Sequence, residues 1–215
     1  MDRKVPPFDI LTDAITPNAF HDSATRFDPP KCHPHTRVKI LDDIMVWILG
    51  QLEGITTPVA KPILWLSGAA GAGKSAIAQS TIERCLERDV RLASFLFSNS
   101  DPTRNHARHL VATLAYQLYQ TFPGTEVQTE ILSAISKESL MFTKQKQQQF
   151  TTLVVQPLKT YLSRQRFPKP QTSLMSARAV YTRNRRSPKG GAQPFSFLDF
   201  RHSHDSRTPF RCVAA

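Results

Sequence analysis

The sequence predicts an α/β fold: a three-layer sandwich of helices around a parallel sheet, incomplete as it stands, followed by a disordered basic C-terminal tail. Three observations predict it. A short apolar run, a glycine-rich turn and an amphipathic helical stretch follow one another over residues 62–88. A second short apolar run at 91–97 comes directly after that helix, the strand–helix–strand order of a parallel pair. Helical periodicity then dominates up to residue 163 and stops abruptly there.

The first strand is Pro62-Ile63-Leu64-Trp65-Leu66, apolar and bounded by proline and glycine, as a buried parallel strand should be. It runs into Gly68-Ala69-Ala70-Gly71-Ala72-Gly73-Lys74-Ser75, which fits G-x-x-x-x-G-K-[ST], the phosphate-binding P-loop pattern, at every fixed position. Glycine lets the backbone take positive φ and come close to a phosphate, so that several amide N–H groups form an anion nest. The helix beginning near Lys74 adds the positive end of its dipole. Lys74 supplies a point charge for the β- and γ-phosphates, and the Ser75 hydroxyl is a hard oxygen ligand for Mg²⁺. The expected nucleotide-binding set is Gly68, Gly71, Ala72, Gly73, Lys74, Ser75 and Ala76, with Ser75 as the metal ligand. After it, Ile77, Ala78, Thr81, Ile82, Cys85 and Leu86 recur at helical spacing, with Gln79, Glu83, Arg84, Glu87 and Arg88 largely opposite. The flanks separate this stretch from a glycine-rich turn with an incidental Lys-Ser.

Upstream, residues 1–35 carry six prolines and little periodicity, and read as an irregular strap. His21, Cys32, His33 and His35 lie there without the paired spacing of a metal site. Over 36–54, Val38, Leu41, Met45, Ile48 and Leu52 recur at steps of three and four, with Thr36 as the expected cap. So broad an apolar face predicts a helix docked on the nucleotide domain. Residues 55–163 form the P-loop domain itself. Its second strand is followed by Ser98-Asn99-Ser100-Asp101-Pro102-Thr103-Arg104-Asn105, dense in turn formers. Then come an amphipathic helix at 104–122 stopped by Pro123-Gly124, another at about 126–137, and a third at about 145–163 that Pro157 is expected to kink.

The net charge of +11 suggests a polyanion partner until it is located. Residues 1–163 hold 17 Lys and Arg against 15 Asp and Glu; residues 164–215 hold 11 against 2. The basicity belongs to the tail, which is broken by five prolines and has its aromatics clustered at Phe195, Phe197 and Phe200. That composition predicts a solvated tail and disfavours a nucleic-acid partner. Cys32, Cys85 and Cys212 are far apart and odd in number, which fits a reducing compartment. With no apolar N-terminal leader and no run of membrane-spanning length, the expected location is the cytoplasm, away from membranes.

With these residues in view, the chain resembles a known family. Leu66-Ser67-Gly68 through Ser75-Ala76-Ile77-Ala78 is similar to the start of NACHT NTPase domains, in the fungal branch related to the nephrocystin-3-like N-terminal domain, a group of STAND-type P-loop NTPases. Ala93-Ser94-Phe95-Leu96-Phe97-Ser98, the loop Asp101-Pro102-Thr103-Arg104-Asn105 and the helix around His109-Leu110-Val111-Ala112 resemble the same branch, as do Phe20-His21-Asp22-Ser23 and Asp28-Pro29-Pro30-Lys31-Cys32-His33-Pro34. The resemblance covers roughly residues 18–162. It implies a signal-transducing NTPase that exchanges nucleotide and oligomerises, with other NACHT-type protomers or effector proteins as partners. It also implies a Walker B strand ending in acidic residues after the third helix. Here Leu162-Ser163 runs instead into the basic tail, and the sole candidate is Phe195-Ser196-Phe197-Leu198-Asp199-Phe200. The expectation is an N-terminal part of a NACHT domain, truncated before Walker B.

The function expected is therefore purine-nucleotide binding, ATP with Mg²⁺, by a NACHT-type signalling module that is at most a weak NTPase. No Asn-Lys-x-Asp guanine signature favours GTP. Two rivals stay open: a non-catalytic interaction fragment acting on full-length relatives through the helices at 36–53 and 104–122, and a small P-loop kinase.

Overall fold

The computed structural model describes residues 5–26, 28–49, 63–164, 178–184 and 211–214, the last two segments by their backbone. The architecture is mixed α/β, mostly helical with few strands. Four strands pair in parallel in the order β1-β3-β4-β2: β1 (Ile63–Gly68), β2 (Leu92–Phe95), β3 (Arg178–Asn184) and β4 (Arg211–Ala214). The pairing of β1 with β3 runs from Ile63 opposite Ala179 to Gly68 opposite Asn184. Two pieces of the tail are thus strands, where no regular structure was expected. Val180, Tyr181, Thr182 and Val213 are strand formers that the surrounding prolines and arginines obscure in the sequence. The rest of the tail, Asp199 included, lies outside the described residues.

Two cores flank the strands. One is built by α2 (Val38–Leu49) and α3 (Lys74–Leu86): Leu41, Ile44, Met45 and Ile48 bury against Ile77, Ala78, Ile82 and Cys85. Leu41, Met45 and Ile48 of the stripe that the sequence showed are spent inside the molecule, while Val38 is exposed and Leu52 lies outside the described residues. Burying each such aliphatic side chain contributes about 1.5–3 kcal/mol. The helix starts one residue later than expected. Thr36 turns its hydroxyl back onto the His33 carbonyl at 2.6 Å, and the Arg37 carbonyl accepts the first helical bond, from Leu41 N–H at 3.0 Å.

The other core joins α1 (Pro7–Ala14), α4 (Leu110–Thr121), α5 (Glu126–Lys137), α6 (Lys146–Phe150) and α7 (Gln156–Arg164), with Leu11, Leu114, Leu118, Ile131, Leu153 and Leu158 buried. The helix α1 falls in the stretch expected to be irregular. Pro7 occupies its first turn, where the missing N–H has no acceptor to lose and φ is already helical. Between α6 and α7 the backbone widens into a π turn over Thr151–Val155, next to Pro157. Proline cannot donate to the carbonyl four residues back and crowds it, so the expected kink takes this form.

Each residue of β2 is buried, with Leu92 in the first core and Ala93 and Phe95 in the second; Leu96, just after the strand, joins the first. Its backbone is closed by side chains and the strap: Ser94 N–H donates to the Gln117 amide oxygen at 2.9 Å, Gln117 Nε2 donates back to the Ser94 carbonyl at 2.8 Å, and Leu96 N–H donates to the Ala19 carbonyl at 3.0 Å. The strand β1 is different. Leu64 and Leu66 pack on the α2–α3 core while Trp65 is 41% exposed, so this strand is half-buried rather than fully buried. Among the described residues no helix is long and apolar enough to cross a membrane.

Candidate functional site

The glycine-rich loop joins the end of β1 to the start of α3, between the last pleat of a strand and the first turn of a helix. Ala72 N–H closes a tight turn onto the Ala69 carbonyl at 3.2 Å. Gly71 and Gly73 take φ of 78° and 81°, the left-handed region that side chains disfavour. Gly68 has no positive φ; a Cβ there would stand 3.4 Å from the Ala72 Cβ, filling the inside of the loop. Gly73 caps α3 without a side-chain bond, and the first helical bond runs from Ile77 N–H to the Gly73 carbonyl at 2.9 Å. The amides of Lys74, Ser75 and Ala76 therefore precede the first intrahelical donor, Ile77 N–H, and are available at the positive end of the helix.

Lys74 is only 8% exposed, yet its ammonium sits over the loop, donating to the Ala69 carbonyl at 2.7 Å and the Gly68 carbonyl at 3.1 Å. The charge is held on backbone carbonyls and, among the described residues, on no carboxylate. Ser75 is exposed at the head of α3. All seven residues of the expected set lie in this one turn. Positive-φ glycines, N-terminal amides, an ammonium and a hydroxyl suit the chemistry of a polyphosphate and its Mg²⁺.

The loop after β2 is closed on itself. Asp101 accepts from Thr103 Oγ1 at 2.6 Å, Thr103 N–H at 2.9 Å and Arg104 Nε at 2.8 Å. Arg104 also donates to the Leu96 carbonyl at 3.0 Å. The Thr103 hydroxyl first, then the Arg104 guanidinium, hold the Asp101 carboxyl down to about 2. Both oxygens of the Asp101 carboxylate are thus engaged within its own loop. Glu126 pairs with Arg164 at 3.3 Å and Glu138 with Lys144 at 2.7 Å, both at ends of α5.

Sequence reasoning missed the way the upstream strap lies along α3. Arg26 Nη1 donates to the Gln79 amide oxygen at 3.0 Å, Cys32 N–H to Ser80 Oγ at 3.0 Å, and Lys31 pairs with Glu83 at 2.8 Å. Arg37 Nη2 reaches the Ala72 carbonyl of the glycine-rich loop at 3.5 Å. No local periodicity announces contacts across 35 to 53 residues. His21 turns to Ser94 Oγ at 3.4 Å and His33 to the Pro34 carbonyl at 3.2 Å. Among the described residues no group of three His, Cys, Asp or Glu is assembled for a metal.

No curated protein and no solved structure matches the chain. A family model described as "Nephrocystin 3, N-terminal" matches residues 46–174, more than half of the chain, including the glycine-rich loop. The chain belongs to the nephrocystin 3 N-terminal family.

Proposed function

We propose that this protein binds a purine nucleotide, ATP with Mg²⁺, in the loop from Gly68 to Ser75, as the P-loop part of a cytoplasmic NACHT-type signalling NTPase built on a three-layer sandwich. The observation that carries the reading is the union of two positive-φ glycines with an ammonium poised 2.7 Å from the Ala69 carbonyl at the head of α3. In this reading Gly71, Ala72, Gly73 and Ala76 offer backbone amides to the phosphates and Lys74 turns from its carbonyls to the β- and γ-oxygens. Ser75 holds one face of the Mg²⁺, which on binding would neutralise phosphate charge.

Hydrolysis needs more: an acid anchoring the metal from the opposite side and a water held in line. Among the described residues Asp101, Glu126 and Glu138 are each engaged by neighbouring donors. Binding with slow turnover is the function these residues support. The interaction-fragment reading loses ground, because the apolar faces of α2 and α4 are both consumed in the protein's own cores.

Calorimetric titration of ATP–Mg²⁺ into the full chain and into Lys74→Ala tests the proposal. One charged contact to phosphate is worth about 1.5–3 kcal/mol, so the variant should bind at least ten-fold more weakly. Equal affinities for the two proteins would contradict it.

A further inference from the structure

Arg37 breaks three local rules at once. It has φ of 57°, in the left-handed region where a non-glycine residue is strained. It stands at the N-cap of α2, its carbonyl accepting from Leu41 N–H, a position that favours Asn, Asp, Ser or Thr. And it places a cation at the positive end of a helix. Two residues earlier His35 is also left-handed, at φ 63°. Backbone strain of this kind persists where surrounding structure enforces it, and sites that violate local preference tend to be functional.

What the strained turn achieves is placement. Thr36 Oγ1 ties the turn to the His33 carbonyl at 2.6 Å, α2 is fastened to α3 by Asp42 and Arg84 at 2.6 Å, and the Arg37 guanidinium arrives 3.5 Å from the Ala72 carbonyl, between Gly71 and Gly73. Arg37 is exposed, and among the described residues that carbonyl is its one hydrogen-bond partner. An always-charged, planar, exposed group beside an anion nest has the chemistry of a phosphate ligand.

We infer that Arg37 is a second cationic ligand for the nucleotide's phosphates, delivered from the strap upstream of the P-loop. The inference rests on the nucleotide reading above. In it, Lys74 and Arg37 approach the phosphates from two directions, one from within the loop and one from outside it.

Arg37→Asn and Arg37→Lys separate the two ideas. Asn tolerates the left-handed region and caps helices, so Arg37→Asn should melt at the same temperature as wild type or higher. Its affinity for ADP–Mg²⁺, measured by calorimetry on the full chain, should nevertheless fall about ten-fold, the loss expected for one charged hydrogen bond. Arg37→Lys should recover part of that loss. The affinity of Arg37→Asn should also fall less steeply with added KCl than that of wild type, which a merely structural change would not produce. Wild type that binds ADP–Mg²⁺ while Arg37→Asn binds it equally overturns the inference and leaves the nucleotide reading standing. An unaltered KCl dependence with a lowered melting temperature overturns it too, as a sign of structural damage. Wild type that binds no ADP–Mg²⁺ overturns the reading and the inference together.

Discussion

Two loops leave the carboxyl ends of two parallel strands, and they are built on opposite principles. The loop after β2 satisfies itself: Asp101 gathers the Thr103 hydroxyl, the Thr103 amide and the Arg104 guanidinium, and Arg104 ties the assembly to the Leu96 carbonyl. The loop after β1 does the reverse. It places two glycines in left-handed conformations, caps α3 with no side chain and leaves its lysine on two backbone carbonyls. A loop whose polar groups are mutually satisfied has nothing left for a ligand. One whose cation rests on two backbone carbonyls, and whose first helical amides lie outside the intrahelical ladder, keeps groups that suit an anion. Proximity of an acid to a strand end is therefore a poor guide to catalysis until its own hydrogen bonds are known.

The comparison breaks most sharply at Gly73. A valine there would hold a β-branched side chain at φ 81°, at a cost of about 1–3 kcal/mol, and would disturb the amides at the head of α3. Gly73→Val should lose ATP–Mg²⁺ binding by calorimetry while its far-ultraviolet circular dichroism stays close to wild type at low temperature.

Asp101→Ala attacks the other loop. It should lower the melting temperature, because Thr103 and Arg104 lose their acceptor, yet leave ATP–Mg²⁺ affinity within about two-fold of wild type, inside the range of ordinary surface changes. The pH dependence has a definite sign. The carboxyl is held at about 2 in the folded state against 3.8 for an ordinary aspartate. Its stabilising contribution is therefore complete above about pH 4 and is lost as pH falls toward 2. Melting curves across that window should drop less steeply for Asp101→Ala than for wild type.

Thr81 sharpens the account of α3. Its hydroxyl is fully buried with no hydrogen-bond partner among the described residues, on the helix that carries the phosphate loop. Thr81→Val keeps the shape and removes the orphan group, and should raise stability by about 1 kcal/mol in chemical denaturation without altering nucleotide affinity. The smallest effect is expected at the Asp42–Arg84 pair, 2.6 Å apart but partly open to solvent. Arg84→Ala should cost about 0.5 kcal/mol or less by the same measurement, and less still in high salt.

What the sequence made legible is what local chemistry decides. The glycine-rich loop is one such case: its glycines mark a turn between strand and helix, and Gly71 and Gly73 take positive φ between β1 and α3. The helix α5 is another: Pro123-Gly124 ends the helix before it, Gly124 takes φ 69°, and Val127, Ile131 and Ile135 fall on one buried face. Where a residue type has two opposite local meanings, the reading failed. Pro6-Pro7 looked like a breaker, but Pro7 starts α1. Thr36 looked like a cap, but its hydroxyl prefers the His33 carbonyl and Arg37 takes the position. Contacts set by tertiary path were not legible at all. Arg26 on Gln79 and Arg37 on Ala72 depend on how the strap crosses α3, and Asp101 on a bonding pattern that only three-dimensional closure fixes.

The most direct test of the contrast between the loops is a titration of ATP–Mg²⁺ into the isotopically labelled full chain, followed through its backbone amide resonances. The account predicts large shifts confined at first to the amides of residues 69–76, where Gly71 and Gly73 hold positive φ, with Arg37 responding and Asp101 to Arg104 nearly silent. Shifts centred on residues 98–105, or no response at 69–76 at saturating nucleotide, would contradict it.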